Sequence, residues 1–334
     1  MVVGEDGRPA LPWLAAPVAD VLARQRGHAL MLHGAEGTGT LEFGFALAQA
    51  LLCEASAGQG ACGRCGSCRL VQAHAHPDLM VLLPQALRWP LGWLLPDDKP
   101  DDEGKKKPSR QIRIDEVRSA IDWVGKTSAR GHGKVVLLHP AEALNQQSAS
   151  ALLKTLEEPP PGTRLLLGVA DPARLLPTIR SRCQRVPLPP PAEAEALAWL
   201  ESQGVADAAL LLAAAGGRPL LAAEMAAAGI DGARWSALPR AVARGDASPL
   251  SGWPAPRAID ALQKLCHDAS AQAVGGVPRH FPPAAMPPAA DPGALADWGR
   301  SLARAARHDE HPWNEGLLLE ALVSQGCRAL TLRP

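Results

Sequence analysis

Gly34-Ala35-Glu36-Gly37-Thr38-Gly39-Thr40-Leu41 carries the glycine skeleton of a phosphate-binding loop without its working side chains. In the pattern G-x-x-x-x-G-K-[ST] the glycines let backbone N–H groups approach phosphates, the lysine neutralises them, and the hydroxyl holds Mg²⁺. Gly34, Gly37 and Gly39 are present, but Thr40 stands at the lysine position and Leu41 at the hydroxyl position. Glu36 adds a negative charge inside the loop. An apolar run, Ala29-Leu30-Met31-Leu32, precedes the loop, and a helical pattern, Phe43, Leu47 and Leu51, follows it. The stretch reads as strand, loop and helix, a degenerate phosphate loop with no nucleotide expected in it. Taken alone, a glycine-rich turn of other origin fits it equally well.

Outward from the loop, apolar runs at Leu79–Leu83, Lys134–Leu138 and Leu165–Val169 predict buried strands. Between them, helices are expected at about 112–126, with Ile114, Val117, Ile121 and Val124 on one face, and at 145–157, ended by Pro159-Pro160-Pro161. Val18, Val21 and Leu22 predict another helix ahead of the first strand. Strands alternating with helices argue for a doubly wound α/β domain with a parallel sheet, over 1–188. Beyond Pro187 the pattern is helical only, short segments over 189–232 and longer ones over 233–334, with a Pro-rich loop at 275–292. The charged, Pro-containing stretch 96–110 predicts a disordered surface loop, in which Lys105, Lys106 and Lys107 are solvated rather than gripping phosphate.

A chain of 334 residues suggests two or three domains, and 47% hydrophobic with 20% charged residues places it among globular proteins. A formal net charge of zero removes the global basic signature of a chain that grips nucleic acid unaided. The start of the sequence lacks the basic-then-apolar layout of a signal peptide, and no apolar run approaches the roughly 18 residues of a membrane helix. Seven cysteines, an odd number clustered towards one end, do not resemble a secreted disulfide scaffold, so a cytoplasmic location is expected.

Cys53, Cys62, Cys65 and Cys68 give C-x₈-C-x₂-C-x₂-C within the Cys/Gly-rich stretch at about 53–76. Two-residue gaps let successive thiolates turn onto one metal, and four thiolates close a tetrahedral Zn²⁺ shell, which points to a structural site. Free or redox-active thiols are the alternative. An iron–sulfur cluster of the C-x₂-C-x₂-C-x₃-C type would need a cysteine at position 72, where the chain has Gln72. His74 and His76 are read as ordinary loop residues.

After the strand at 134–138 an AAA+ ATPase carries an acidic pair that holds Mg²⁺; this chain has His139-Pro140. Further on come Ala151-Leu152-Leu153-Lys154-Thr155-Leu156-Glu157-Glu158-Pro159-Pro160 and then Ile179-Arg180-Ser181-Arg182-Cys183. These segments resemble the A-L-L-K-x-L-E-E-P-P and S-R-C motifs of bacterial DNA polymerase III clamp-loader subunits, an AAA+ family. That family inserts a four-cysteine zinc module after the phosphate-loop helix, and Asn314-Glu315-Gly316-Leu317-Leu318-Leu319-Glu320 is similar to its collar.

The resemblance implies an AAA+ α/β domain with a zinc module, a small helical lid and a C-terminal helical collar. It implies gamma/tau motor and delta subunits as partners in a hetero-pentameric ring, with primed DNA and the sliding clamp reached through the complex, and no membrane. Both nucleotide motifs depart from the motor pattern, as does Leu220 where a nucleotide-sensing arginine would sit. The expectation is a ring component of the polymerase holoenzyme with no ATPase of its own, bound to zinc but not to nucleotide. Arg182 is then expected to serve a neighbour's ATP site as an arginine finger; the bland alternative pairs it with a carboxylate in a helix-to-strand turn. Lys154 is expected at a solvated helix end, able to face DNA, and Cys183 as a packed residue. Two rivals are weaker. An active clamp-loader ATPase needs Lys at 40 and acids at 139–140, and a zinc-dependent DNA-binding regulator needs a basic stripe, where only Arg64 and Arg69 flank the cysteines.

Overall fold

A computed structural model describes residues 3–24, 27–55, 60–93, 108–288, 290–307 and 314–331. The expected surface loop at 96–110, with its lysine triplet, lies largely outside them. Contacts divide the chain into two units, Met1–Pro191 and Ala192–Pro334.

In the first unit, α1 (Ala15–Arg24) leads to β1 (Ala29–His33), α2 (Thr40–Leu52) and α3 (Gly66–Gln72). Next come β2 (Leu79–Leu82), α4 (Gln85–Arg88), α5 (Ile114–Val124), β3 (Lys134–Leu138) and α6 (Gln146–Glu157). The unit ends with β4 (Thr163–Val169), α7 (Pro177–Arg180) and β5 (Gln184–Pro187). The strands form one parallel sheet in the order β2-β3-β4-β1-β5, so the glycine loop leaves the sheet beside the ends of β4 and β5.

Both faces of the sheet are covered, which is why its strands are apolar throughout rather than alternating. Met31, Val136, Leu138, Leu165 and Leu167 pack with Val117, Ala120 and Val124 of α5 and Leu152 and Leu156 of α6. On α2, Gly44 allows close approach to the sheet, since a Cβ there would stand 2.5 Å from Leu137 Cδ1. Helix α6 starts where Asn145 accepts the Ser148 N–H at 2.9 Å, and it ends before Pro159.

No apolar run marks β5 in the sequence. Its run Gln184-Arg185-Val186-Pro187 buries only Val186, because it is an edge strand paired to β1 alone. Edge position also accommodates the proline, which cannot donate to a ladder.

The second unit contains α8 (Glu193–Ser202), α9 (Ala208–Ala214), α10 (Pro219–Ala227), α11 (Gly232–Ala243), α12 (Ala255–Ala273), α13 (Pro292–Ala306) and α14 (Glu315–Thr331). One continuous core, from Ala196 and Leu200 through Trp235 and Trp298 to Leu330, runs through both the 189–232 and 233–334 stretches. Trp298 donates its indole N–H to Leu322 O at 3.0 Å and packs on Gly326, where any Cβ would lie 2.6 Å from its ring. Among the described residues no single helix is long and apolar enough to cross a membrane.

Candidate functional site

The glycine loop begins where β1 ends: Gly34 N–H donates to Val169 O of β4 at 3.1 Å. Gly37 (φ 80°) and Gly39 (φ 99°) adopt left-handed backbone that side chains resist, which is why the glycine skeleton persists. Side chains of the chain itself brace the loop. Thr38 donates its hydroxyl to Ala35 O at 2.6 Å, and Thr40, the first residue of α2, donates to Gly34 O at 3.3 Å. Thr40 Oγ1, Thr38 Oγ1 and Leu188 Cβ lie 2.7, 3.1 and 3.1 Å from where a Cβ on Gly34 would be. From outside, Trp13 donates its indole N–H to Thr38 O at 2.9 Å, and Leu11 Cδ1 sits 2.6 Å from a Cβ position on Gly39. Gly34, Thr38, Gly39 and Thr40 are all buried, while Glu36 is exposed. A phosphate needs backbone N–H groups and a cation; here the lysine position carries Thr40, and Leu11 and Trp13 pack on the loop from outside.

His139 occupies the end of β3, where the acidic pair is missing. Its ring lies against Gly168 of β4, where a Cβ would be 2.3 Å from Nδ1, and Nδ1 has no hydrogen-bond partner among the described residues. Burial pulls this imidazole down to about 4. Nearby, Glu142 turns its carboxylate inward and accepts the N–H groups of Ala170 and Asp171, both at 2.7 Å, at the end of β4. His139 is thus neutral when folded and takes up a proton only on unfolding between pH 6.5 and about 4. Stability should fall as pH drops through that window, by up to about 3 kcal/mol from this residue. Urea unfolding at pH 7 and pH 5 checks this: His139→Gln should lose less stability on acidification than the wild type, and an identical loss would refute the assignment.

Arg182 lies just past α7, within reach of the C-terminal end of α6. Its Nε donates to Glu157 Oε1 at 2.7 Å, and Nη1 donates to Thr178 O at 2.9 Å. Nη2 completes an ion pair with the same carboxylate, the two side chains being 35% and 49% exposed. The carboxylate foreseen in the bland reading is therefore present, on the last residue of α6. The fork stays at the surface, held in position and accessible. Cys183 is buried beside Ile179, and burial pushes its thiol up to about 11, in keeping with a packed residue. Lys154 is exposed on α6. On the residues aligned with the missing nucleotide-sensing arginine, Leu220 lies in α10, and the neighbouring Arg218 donates to Ala215 O at 2.7 Å.

The four cysteines converge. All four Sγ atoms lie within 4.8 Å of one another, with Cys53 and Cys65 at 3.9 Å and Cys62 and Cys68 at 4.0 Å. A tetrahedron with Zn–S bonds of ~2.3 Å has edges of roughly 3.8 Å, so the sulfur cage fits zinc. Backbone N–H groups support the sulfurs: Cys62 N to Cys53 Sγ at 3.3 Å, Cys65 N to Cys62 Sγ at 3.3 Å, and Cys68 N to Cys65 Sγ at 3.4 Å. The Arg64 N–H and neighbouring donors hold the Cys62 thiol down to about 6, whereas burial raises Cys53 and Cys68. Two buried thiols that resist ionisation fit a site in which a cation supplies the missing positive charge.

His76, missed as a functional residue by sequence, braces this cage. Its Nδ1 accepts the Asp78 N–H at 3.0 Å, so Nε2 carries the proton and donates to Ser67 Oγ at 2.7 Å. Ser67 then donates to Leu52 O at 2.5 Å, tying the neighbours of Cys68 and Cys53 together. A second group of metal-capable residues, His267, Asp268 and His280, is otherwise engaged. Asp268 accepts the N–H groups of His280 and Phe281 at 2.7 and 2.9 Å, and His267 Nδ1 lies 3.0 Å from its other oxygen. This carboxylate pins the Pro-rich loop to α12.

A family model described as DNA polymerase III, delta subunit, matches residues 19–192. DNA polymerase III subunit delta' of Pseudomonas aeruginosa is 40% identical over 225 residues, which cover 66% of this chain and 62% of that protein. The subunit delta' of Escherichia coli is 35% identical over 207 residues, 61% of this chain and 56% of that protein. DNA polymerase III subunit tau of Escherichia coli is 31% identical over 156 residues, 47% of this chain and 20% of that protein. The match thus spans between half and two thirds of the length of the Pseudomonas aeruginosa and Escherichia coli delta' proteins.

Proposed function

Because the chain belongs to the DNA polymerase III delta-subunit family, in the branch whose curated members are named subunit delta', we propose that it is a non-hydrolysing component of a replicative clamp loader. In this reading the first unit is an AAA+ domain and the helical unit supplies a lid and a collar. The chain closes a ring with gamma/tau and delta subunits, and the ring places a sliding clamp on primed DNA. Its own chemical contribution is Arg182, offered in trans to the ATP bound by a neighbouring motor subunit. The observation that carries the proposal is a glycine loop with Thr40 at the lysine position, braced by its own threonine hydroxyls and by Leu11 and Trp13 packed against it. A loop braced this way keeps its shape without a nucleotide. The Arg182 fork then acts on another subunit's phosphate by exchanging Glu157 for it, since a guanidinium presents planar paired donors to either anion.

Nucleotide binding separates this reading from an active ATPase. The isolated chain should bind no ATP at millimolar concentration, as judged by calorimetry. The double variant Thr40→Lys, Leu41→Ser should also fail to bind, because Leu11 and Trp13 stay packed on the loop and positions 139–140 still lack an acidic pair. Micromolar affinity in either protein would sink the proposal. Co-purification with the motor subunit and determination of stoichiometry test the assembly.

A further inference from the structure

We infer that the four-cysteine module is an intramolecular clasp, holding in place the amino-terminal segment whose continuation packs on the phosphate loop. The inference rests on the module binding zinc.

Residues 3–9 form a small turn with no helix of their own. Val3 and Pro9 make an antiparallel bridge, Gly4 N–H donates to Arg8 O at 2.9 Å, and Gly7 N–H donates to Gly4 O at 3.0 Å. So few local bonds do not offset the entropy of ordering such a segment. It is held from the module side. Gln72, the last residue of α3, donates its side-chain amide to Val3 O at 2.9 Å and to Gly63 O at 3.0 Å, stapling the turn to the loop between Cys62 and Cys65. Contact there is backbone to backbone: a Cβ on Gly63 would stand 2.1 Å from Gly4 O, and one on Gly7 would stand 2.6 Å from Ala61 O. Both glycines have left-handed φ, 74° and 79°, so this approach is open only to glycine. Val3 is 1% exposed at this junction.

Position is transmitted along a very short tether. From Pro9 to Leu11 the chain reaches about 7 Å at most, and Leu11 sits on Gly39 while Trp13 bonds Thr38 O. A fixed turn therefore leaves these two side chains little room to withdraw. The module closes the circuit at the other end as well, because Cys53 follows directly on α2, the helix that starts at Thr40. The metal cage thus fixes the far end of the phosphate-loop helix and the near end of the segment that covers the loop.

Hydrogen–deuterium exchange on the full chain, read by mass spectrometry with zinc content measured in parallel, tests the clasp. Removing zinc with a chelator should speed exchange at Leu11–Leu14 and at Ala35–Thr40 at least tenfold, and leave β3 and β4 unchanged. Gln72→Ala should keep one zinc per chain and still accelerate exchange at Leu11–Leu14. If the native chain carries no zinc, the metal reading beneath the clasp fails. If zinc is present, and neither its removal nor Gln72→Ala alters exchange at Leu11–Leu14, the clasp alone is overturned.

Discussion

Clamp loaders assembled with Arg182→Ala are expected to load clamps slowly while remaining intact. An arginine finger typically accelerates phosphoryl transfer by about 10³–10⁵, because hydrolysis spreads charge over the transferred group and a rigid fork of donors meets it. If Arg182 has the role proposed above, its loss should all but silence a neighbouring motor site. Total ATP turnover should then fall only in part wherever other sites keep their own fingers, so clamp loading on primed DNA is the sharper readout. Folding should be unaffected: the Arg182–Glu157 pair is more than a third exposed on average, and such surface pairs contribute about 0–1 kcal/mol. Arg182→Lys should rescue poorly, because an ammonium cannot replace a planar fork. Glu157→Gln retains an acceptor beside the guanidinium and should cost far less than removing the arginine. Normal clamp loading by Arg182→Ala would reduce Arg182 to a structural residue.

The second large effect concerns metal. Native protein should contain one zinc per chain, and Cys65→Ser should abolish it. Structural zinc contributes on the order of 10–16 kcal/mol of folding free energy in small peptide domains, far more than the few contacts within residues 60–72 could replace. The sheet should survive, since Met31, Leu137, Leu165 and Leu167 are buried by helices on its two faces and not by the module. Metal analysis together with far-ultraviolet circular dichroism distinguishes these outcomes. Zinc content unaltered in Cys65→Ser would disprove the ligand set.

What could be read from the sequence was local chemistry and strong periodicity. The glycine loop, the cysteine spacing, four apolar strands and the helices flanking them are each encoded within a few consecutive residues, and each has its place in the fold. What escaped depends on partners distant in the chain. Trp13 and Thr38 are 25 residues apart, as are Glu157 and Arg182, and neither pair leaves a pattern in either segment alone. The strand at 184–187 carries a single buried side chain, too little for an alternation to register. His76 looked like a loop residue because nothing in the sequence marks its hydrogen bond to Ser67. The common core of residues 196–330 was hidden for a related reason: helical periodicity marks which faces are apolar, but not which of them meet.

The packing around the glycine loop also bears on how this sequence can change over time. Nucleotide binding of the motor type would call for lysine at 40, a hydroxyl at 41 and an acid in place of His139, with room made at Leu11 and Trp13. The first and last of these steps are unfavourable on their own. A lysine at position 40 would enter a site now 6% exposed with no phosphate to neutralise, and burying an unpaired charge is costly. Trimming Trp13 or Leu11 would uncover apolar surface with nothing to fill the gap. Selection acting one substitution at a time therefore meets an uphill step at each of these positions, so the loop's present packing works as a ratchet.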